Sequence, residues 1–328
     1  MKICVVGAGA IGGFLGTRLA LVRGTQVSAL ARGTTLVALR DHGWRLEEGG
    51  KLLQAPVALA MDDPRELGPQ ELLILTVKSP ALPTLAPTLA PLLGADTLVL
   101  TAMNGVPWWF ACGIAGLGSQ PLESVDPGGG IAAALPAAGV IGCVVHAAVS
   151  TAAPGIAAHR MGHGLIIGEP AGGDSRRVTR LVELFSQAGF EARASARIRY
   201  DIWYKLWGNM TMNPVSALSG ATLDRVLDDD LVRAFCSAAM REAADIGARI
   251  GCEVRESPED RHAVTRRLGA AKTSMLQDVE AHRPLELDAL VGAVRELGAR
   301  LGVATPGIDA LFGLTRLFGR VHGLYPPT

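Results

Sequence analysis

The sequence has few aromatic residues and no excess of charge of either sign. Phe, Trp and Tyr make up 5% of the 328 residues, and 31 basic side chains balance 31 acidic ones. Nucleic acids and membrane surfaces are typically bound by a basic stripe, so neither partner is expected. Hydrophobic residues nevertheless make up 49% of the chain, which is typical of a globular protein. At this length, two domains that each bury their own core are expected.

Cysteine pairs and metal-ligand patterns are also missing. The cysteines are odd in number, far apart and without a C-x-x-C pair, which predicts reduced core thiols of a cytoplasmic protein: Cys4, Cys112, Cys143, Cys236 and Cys252. Six of the seven histidines show no mutual ligand spacing and are interpreted as structural or surface residues: His146, His159, His163, His262, His282 and His322. The run Asp228–Asp230 is interpreted as a solvated helix start. No metal site is predicted.

A transmembrane segment is not expected either. The stretch 127–159 carries no charged side chain when its histidines are neutral. Pro127, Pro136 and Pro154 divide it into pieces too short to span a bilayer, so strands and loops are predicted there. Lys2 precedes an apolar run as in a signal peptide, but the glycines that follow fit a buried strand and helix better.

The most informative stretch of the sequence is its amino terminus. The apolar run Ile3–Val6 leads directly into glycines at the spacing G-x-G-x-x-G. This pattern predicts a strand, a tight turn and a helix N-terminus that attracts a pyrophosphate. The predicted cofactor cradle consists of Gly7, Ala8, Gly9, Ala10, Ile11 and Gly12. A glycine-rich turn without a ligand is the alternative.

The next predicted strand, Gln26–Ala31, bears on the choice of cofactor. NAD sites usually carry Asp or Glu at its end to bind the ribose hydroxyls. No acidic residue occurs before Asp41; Arg32 follows the strand instead, with Thr34 and Thr35 beside it. A guanidinium with neighbouring hydroxyls suits a 2′-phosphate, so NADP(H) is the predicted cofactor. The alternative is that Arg32 is an ordinary solvated loop residue.

Further strands and helices alternate up to about residue 196. Buried parallel strands are predicted at Glu71–Val77 and Asp96–Ala102, and a further strand at Pro56–Met61. Lys78 and Asn104 follow the two buried strands, at the sheet edge where ligands bind, and both are expected to face the cofactor. Beyond this point long helical periods replace the strand signals. The predicted organisation is a Rossmann-type doubly wound sheet over 1–196 and an all-α domain over 197–328.

One helix of the second half carries a row of polar residues. Lys205, Asn209 and Asn213 stand four residues apart, which places them on one face of an otherwise apolar helix. Partial burial lowers a lysine pKa and suits the side chain to proton donation near neutral pH. Asparagine is a poor helix former, so two of them beside a lysine favour a ligand or a polar network. The alternative is a solvated lysine with two asparagines that pack between helices.

Together these motifs make the chain resemble the ketopantoate reductases, or 2-dehydropantoate 2-reductases. The motifs span nearly the whole length in order: Gly7-Ala8-Gly9-Ala10-Ile11-Gly12, Ala31-Arg32, Val77-Lys78, Met103-Asn104-Gly105, Lys205-x3-Asn209-x3-Asn213-Pro214, Ser274-Met275-Leu276-Gln277-Asp278 and Leu285-Glu286-Leu287-Asp288. The resemblance implies a Rossmann domain followed by a helical domain. It also implies NADPH-dependent reduction of a 2-keto acid, with 2-dehydropantoate the expected substrate and pantothenate biosynthesis the expected pathway.

The resemblance also implies a role for each polar residue of the motifs. Lys205 is the expected general acid, and Glu286 is expected to hold a substrate hydroxyl. Ser274 is expected to bind the substrate carboxylate. The remaining residues are expected to orient the substrate or to line the cofactor side: Asn209, Asn213, Lys78 and Asn104. A homodimer is left open.

Several residues keep alternatives open. The family usually has polar residues where this chain has Leu223 and Ala271, so a related reductase of another 2-keto acid is one alternative. A non-catalytic NADP(H) sensor is another. Two alternatives are open for the aromatic pair Trp108-Trp109: it narrows or extends the substrate pocket, or it packs against the second domain. Ser274 is alternatively a plain helix hydroxyl, and Glu286 an early-turn carboxylate of a helix that starts after Pro284, paired there with an arginine.

Overall fold

A computed structural model describes residues 1–118 and 120–327 of the chain. Its contacts divide the chain into two compact units. The sheet unit comprises Met1–Met103 and Gly130–Asp201, and the helical unit comprises Asn104–Gly129 and Ile202–Thr328. The predicted domain ranges, 1–196 and 197–328, stay a prediction. The two units differ from them chiefly at 104–129, which groups with the helices.

The sheet unit is built on one mixed sheet, in which the described residues form ten strands. The strands are β1 Lys2–Val6, β2 Gln26–Leu30, β3 Trp44–Glu48, β4 Lys51–Ala55, β5 Ala60–Met61, β6 Gln70–Leu75, β7 Leu93–Thr101, β8 Val140–Ala153, β9 Ile156–Gly168 and β10 Glu191–Ser195. They lie in the order β4-β3-β9-β8-β7-β6-β1-β2-β5, and β10 pairs with β9.

The centre of the sheet is parallel, as the apolar runs predict. β1 lies between β2 and β6, with Val5 opposite Ala29 on one side and Ile74 on the other. Residues Ile3–Val6 are fully buried, which explains why the strand reads as a continuous apolar run. β8 and β9 form a long antiparallel hairpin that extends the sheet. The Rossmann-type sheet predicted from the sequence is thereby confirmed.

Five α-helices belong to the described part of the sheet unit, and a sixth begins there. They are α1 Ala10–Ala20, α2 Gly33–His42, α3 Leu82–Leu85, α4 Gly130–Ala134 and α5 Arg176–Gln187. Short 3-10 turns lie at Pro64–Glu66, Ser79–Ala81, Ala86–Leu92 and Ala137–Gly139. α1 buries Phe14, Leu15 and Leu19 completely, in the same core as Trp44 of β3. This burial fixes the helix whose N-terminus carries the glycines.

The helical unit consists mainly of α-helices, and α6 enters it from the sheet unit. Its helices are α6 Ile198–Ser219, α7 Leu223–Asp228, α8 Asp230–Arg249, α9 Pro258–Arg266, α10 Ser274–Glu280, α11 Ala293–Leu301 and α12 Pro306–Val321. A π-helical turn, Asp288–Gly292, leads into α11. The helical C-terminal region predicted from the sequence is confirmed.

The segment 104–129 is held by α11. The Glu296 carboxylate accepts hydrogen bonds from the backbone N–H groups of Glu123 and Ser124, at 2.9 and 2.8 Å. Arg300 donates to the carbonyl oxygen of Gln120 at 2.9 Å. Burial raises the pKa of Glu296, but the bonds from Ser124 and Glu123 and the Arg300 charge outweigh it, so the net pKa is lowered. An anionic Glu296 thus anchors this segment to the helices.

Two predicted elements are wrong in their bounds. Within the predicted strand Pro56–Met61, only Ala60–Met61 pairs with a neighbouring strand, which is β2. The preceding residues, Lys51–Ala55, form a hairpin with β3. The turn of this hairpin consists of Gly49 and Gly50, both at positive φ. Glu286 lies just before the helical turns rather than inside a first turn after Pro284. The sequence pattern marks apolar faces but not the hairpin that the two glycines permit.

The cysteine prediction holds for four residues and is wrong for one. Cys4, Cys143, Cys236 and Cys252 are buried and form no disulfide, whereas Cys112 is exposed. Burial raises the pKa of Cys4 and of Cys236 to about 12, so these two thiols stay protonated. Cys112 lies in an irregular loop, where an apolar neighbourhood in sequence does not ensure burial. Among the described residues, no helix has the length and apolar character needed to cross a bilayer.

Candidate active site

The glycines at the end of β1 form a tight strand-to-helix turn. Gly7 has φ +94°, and its N–H donates to the Leu30 carbonyl oxygen at 3.0 Å. A Cβ on Gly7 would lie 2.6 Å from Cγ1 of Val77, and a Cβ on Gly12 would overlap the Gly7 carbonyl oxygen. The Thr76 hydroxyl donates to that same oxygen at 2.6 Å. The first and third glycines are therefore required by the turn and by the close approach of α1.

The middle glycine leaves an open space at the N-terminus of α1. Gly9 is the N-cap residue, and a Cβ built on it would meet nothing within 4 Å. No side chain caps α1, and its first turn has no acidic residue. Uncapped N–H groups at a helix N-terminus bind phosphate oxygens. The predicted cradle, including Ala8, Ala10 and Ile11 beside these glycines, fits the pyrophosphate of a dinucleotide.

Arg32 and Lys78 lie at the same edge of the sheet as this turn. Val6 is paired with Leu30 of β2 and with Leu75 of β6, so the ends of the three strands are level. Arg32, two residues beyond β2, is exposed and does not cap α2 with its side chain. Lys78, three residues beyond β6, is half-buried. Both positions agree with those predicted for cofactor-binding residues.

The polar row lies on α6, within the helical unit. The Lys205 ammonium donates a hydrogen bond of 2.8 Å to Oδ1 of Asn104. Two turns further on, the Asn213 amide donates to the Ser274 hydroxyl at 3.3 Å. Asn213 is 5% exposed, and Lys205 and Asn209 are half-buried. The backbone positions of Lys205 and Asn213 are about 12 Å apart along the helix axis, with Asn209 midway between them.

The backbone near Glu286 contacts the loop that carries Asn104. Val106 donates its N–H to the Ala289 carbonyl oxygen at 2.8 Å. Gly105, at φ +82°, lies so close that a Cβ on it would be 2.6 Å from that oxygen. Ala289 is three residues from Glu286, whose own carbonyl oxygen accepts from Leu290 at 3.2 Å. The contact joins the segment after β7 to the segment that carries Glu286.

The residues that depart from the family pattern belong to apolar cores. Leu223 is buried in a cluster with Met212 and Val215, and Ala271 packs against the same cluster. The aromatic pair of the sequence is also core, because the side chains that follow Pro107 are all nearly inaccessible: Trp108 6%, Trp109 3% and Phe110 0%. Of these, Phe110 stacks on Trp203 of α6, with ring centroids 6.0 Å apart. These aromatic residues pack within the helical unit.

One charged cluster of the sheet unit was missed by the sequence reasoning. His159 and His163 contact the Glu48 carboxylate at 3.1 and 2.9 Å, a grouping that the spacing of the histidines in the sequence did not indicate. The Arg18 guanidinium also bonds to Glu48, at 2.5 Å. Burial raises the pKa of Glu48, but Arg18 and His163 outweigh it, so the net pKa is lowered. A guanidinium already supplies the positive charge that a metal ion would bring.

A sequence signal for this cluster does exist. His159 and His163 are four residues apart in β9, and residues at even spacing point to one face of a strand. The partner Glu48 lies on β3, which pairs with β9 in parallel, with Glu47 opposite Ala158. That pairing joins strands that are more than 100 residues apart in the chain. The spacing of the two histidines is therefore visible in the sequence, but their partner Glu48 could not be predicted from it.

Family models match both halves of the chain. The model described as ketopantoate reductase PanE/ApbA matches residues 3–109. The model of the C-terminal part of the same family matches residues 197–318. The first match covers the glycine turn, Arg32, Lys78 and Asn104. The second covers the polar row, Ser274 and Glu286.

Full-length relatives agree with these matches. The 2-dehydropantoate 2-reductase of Mesorhizobium japonicum is 44% identical over 99% of this chain and 100% of its own. The structure of a candidate ketopantoate reductase from Ralstonia solanacearum MolK2 superposes with a TM-score of 0.94 at 55% identity, covering 98% of this chain and 99% of that one.

A more distant structure shares the fold. The ternary structure of D-mandelate dehydrogenase with NADH and anilino(oxo)acetate superposes with a TM-score of 0.85 at 22% identity, covering 99% of this chain and 100% of that one. At this level of identity the likeness concerns the fold alone.

Proposed function

The chain belongs to the ketopantoate reductase family, and we propose that it reduces 2-dehydropantoate to pantoate with NADPH, a step of pantothenate biosynthesis. The observation that carries the proposal is the Lys205–Asn104 hydrogen bond of 2.8 Å, at one end of the polar row of α6. An ammonium group held by a neutral amide in a half-buried position is equipped to stabilise and protonate a developing alkoxide. The name of the Mesorhizobium japonicum relative supports the same reaction.

Lys205 is the proposed proton donor. Bound NADPH supplies the hydride that adds to the C2 carbonyl carbon. As that bond forms, the electron pair of the C=O π bond moves to the oxygen, and Lys205 Nζ transfers a proton to it. The lysine is left neutral and regains a proton from water. General acid catalysis of this kind contributes about 10²- to 10⁴-fold to the rate.

Asn104 holds the ammonium in place for this transfer. Its Oδ1 accepts a hydrogen bond from the Lys205 ammonium, which fixes the direction of the lysine side chain. The amide is itself fixed by its loop, because Val106 bonds to Ala289 and Gly105 lies against it. A preoriented donor has no reorganisation to undergo during the reaction.

The other polar groups of the row are proposed to bind the two ends of the substrate. The Ser274 hydroxyl, which accepts a bond from Asn213, has its own proton to donate to the substrate carboxylate. Asn209 lies one turn from Lys205 and one turn from Asn213, where its amide is proposed to orient the bound acid. Glu286 is proposed to accept a hydrogen bond from the hydroxyl at the far end of 2-dehydropantoate.

NADPH is proposed as the cofactor in preference to NADH. Arg32 stands where NAD-binding sheets carry an acidic residue, and Thr34 and Thr35 follow it. An exposed guanidinium pairs well with a 2′-phosphate, because its planar fork donates two hydrogen bonds to phosphate oxygens. The glycine turn, with Ala8, Ala10 and Ile11, is proposed to hold the pyrophosphate, and Lys78 to lie beside the cofactor.

A reductase of a different 2-keto acid is the second candidate. Leu223 and Ala271 stand where the family usually has polar residues, and both pack in an apolar cluster, so their side chains supply no hydrogen bonds to a hydroxy acid. A sensor that binds NADP(H) without turnover is disfavoured, because sensing gives no reason to keep both Lys205 and Glu286. A homodimer stays a prediction that sedimentation can test.

The experiment that tests the proposal follows NADPH absorbance at 340 nm with a panel of 2-keto acids. We expect 2-dehydropantoate to give the highest kcat/KM. A higher value with another 2-keto acid supports the second candidate. Tight NADPH binding without oxidation by any keto acid contradicts both reductase candidates.

A further inference from the structure

The end of the chain holds the segment that carries Glu286. Leu285 donates its N–H to the Leu324 carbonyl oxygen at 2.9 Å, one residue before Glu286. The Tyr325 phenol donates to the Asp288 carboxylate at 2.7 Å, two residues after it. The backbone of Glu286 therefore lies between two anchors that are both supplied by Leu324 and Tyr325.

These two residues are themselves fixed to the end of α12. The N–H groups of Leu324 and Tyr325 donate to the Gly319 carbonyl oxygen at 2.7 and 3.1 Å, after a reversal at Gly323 with φ +67°. A Cβ on Gly319 would lie 2.7 Å from Cβ of Tyr325, so the segment packs closely on the helix. Leu324 is 3% exposed and Leu285 1%. Both anchoring residues are therefore fixed to the helix α12.

The chemistry of the pair suits a permanent hydrogen bond. Burial raises the pKa of Tyr325, and the neighbouring Asp288 raises it further, so the phenol keeps its proton at neutral pH. Burial raises the pKa of Asp288, and the phenol bond and the charge of Arg316 offset this only in part, so the net pKa is raised. Asp288 also opens the π-helical turn, a backbone form that is frequent at functional sites. The phenol bond thus fixes the first residue of that turn.

We propose that Tyr325 is a positioning residue for substrate recognition, which acts through Asp288 to fix the backbone that presents Glu286. The inference rests on the proposed function, in which Glu286 accepts a hydrogen bond from the hydroxyl of a 2-keto acid. Loss of the phenol oxygen leaves the hydride and proton transfers untouched and weakens only the selection of hydroxylated substrates.

The test compares two substrates that differ in one oxygen. 2-Dehydropantoate carries the terminal hydroxyl, and 3,3-dimethyl-2-oxobutanoate lacks it. In Tyr325→Phe we expect the KM for 2-dehydropantoate to rise about 10- to 100-fold, as for loss of a hydrogen bond to a charged group, while kcat stays within about threefold. The KM for 3,3-dimethyl-2-oxobutanoate is expected to stay at the wild-type value.

Two further variants separate positioning from general stability. Tyr204→Phe removes a more exposed phenol–carboxylate bond, of 2.5 Å to Glu256, elsewhere in the helical unit. It should leave the ratio of the two kcat/KM values unchanged. Asp288→Asn keeps an acceptor oxygen for Tyr325 and should retain most of the wild-type ratio, whereas Asp288→Ala should lose it.

The outcomes distinguish this inference from the proposed function. A wild-type protein that reduces neither substrate overturns the proposed function, and the positioning role with it. If the wild type prefers 2-dehydropantoate to 3,3-dimethyl-2-oxobutanoate and Tyr325→Phe keeps the full ratio of the two kcat/KM values, only the positioning role is overturned. An equal change of the ratio in Tyr204→Phe also overturns it, because the effect is then one of stability.

Discussion

The Lys205 ammonium and the Asn104 amide oxygen are joined by a hydrogen bond of 2.8 Å within the helical unit. The two residues are 101 positions apart in the chain. Lys205 lies on α6, and Asn104 follows the strand β7. The pair therefore joins the proposed proton donor to a loop that is distant from it in the sequence.

Asn104→Ala should lower kcat for the keto acid by about 10- to 100-fold, because a misplaced catalytic group loses rate on that scale. In the Lys205→Ala background the same substitution should have little further effect on kcat, since its role is exerted through the lysine. Steady-state kinetics of the four proteins measure this coupling. If the double variant loses kcat by the full product of the two single-variant losses, the proposed coupling of Asn104 to Lys205 is contradicted.

Gly105→Ala should destabilise the protein by about 3 kcal/mol, of which positive φ accounts for about 1 to 2 kcal/mol. The remainder arises because the new Cβ would lie 2.6 Å from the Ala289 carbonyl oxygen. Gly113→Ala is the matched control, with φ +74° and nothing within 4 Å of its Cβ. Urea unfolding measures both. Equal losses in the two variants would remove the contact with Ala289 from the explanation.

Arg32→Ala should raise the Kd of NADPH by about 10- to 100-fold, the range expected for loss of charge-assisted hydrogen bonds to a phosphate. The Kd of NADH should stay unchanged, because NADH lacks the 2′-phosphate. Arg23→Ala is the control, an exposed arginine at the opposite end of β2. Fluorescence titration with both nucleotides gives the comparison. A parallel weakening of NADH and NADPH would assign Arg32 a different role.

The ion pair of Glu169 and Arg177 predicts a pH dependence of stability. Arg177 donates to Glu169 at 2.7 and 2.5 Å, which holds the pKa of the carboxyl below its ordinary value. Because the folded pKa is the lower one, Glu169 stabilises the fold above the unfolded value of about 4.3. That contribution is lost as the pH falls through the folded pKa.

Glu169→Gln should therefore reduce the unfolding free energy at pH 7 by about 1 to 3 kcal/mol and flatten its decline in acid. Denaturation at pH 7, 5, 4 and 3 measures how the unfolding free energy changes with pH. The exposed Glu191, replaced by Gln, serves as control. If the unfolding free energy declines equally with falling pH in wild type and in Glu169→Gln, the stabilising role of the ionised Glu169 is contradicted.

Local patterns predicted the elements that carry the candidate site, because periodicity and glycine spacing act over a few residues. The strand, turn and helix at Gly7, Gly9 and Gly12 follow from apolar runs and the absence of Cβ atoms. The shared face of Lys205, Asn209 and Asn213 follows from 3.6 residues per turn. These features lie in the structure where the sequence predicts them.

The partners of these residues could not be predicted in the same way. The loop of Asn104 contacts the segment of Ala289 because Gly105 permits a close approach, and the two segments are more than 180 residues apart in the chain. The hydrogen bond from Tyr325 to Asp288 likewise joins separate segments. Such contacts depend on packing of the whole unit, which no short pattern encodes.

The central claim is that Lys205 donates the proton in an NADPH-dependent reduction of 2-dehydropantoate. The most direct measurement is the rate of NADPH oxidation at 340 nm by wild type and Lys205→Ala, with the Kd of NADPH determined in parallel. We predict turnover in the wild type, a loss of kcat of about 10²-fold or more in the variant, and an unchanged Kd. A Lys205→Ala variant that retains the wild-type kcat would contradict the account.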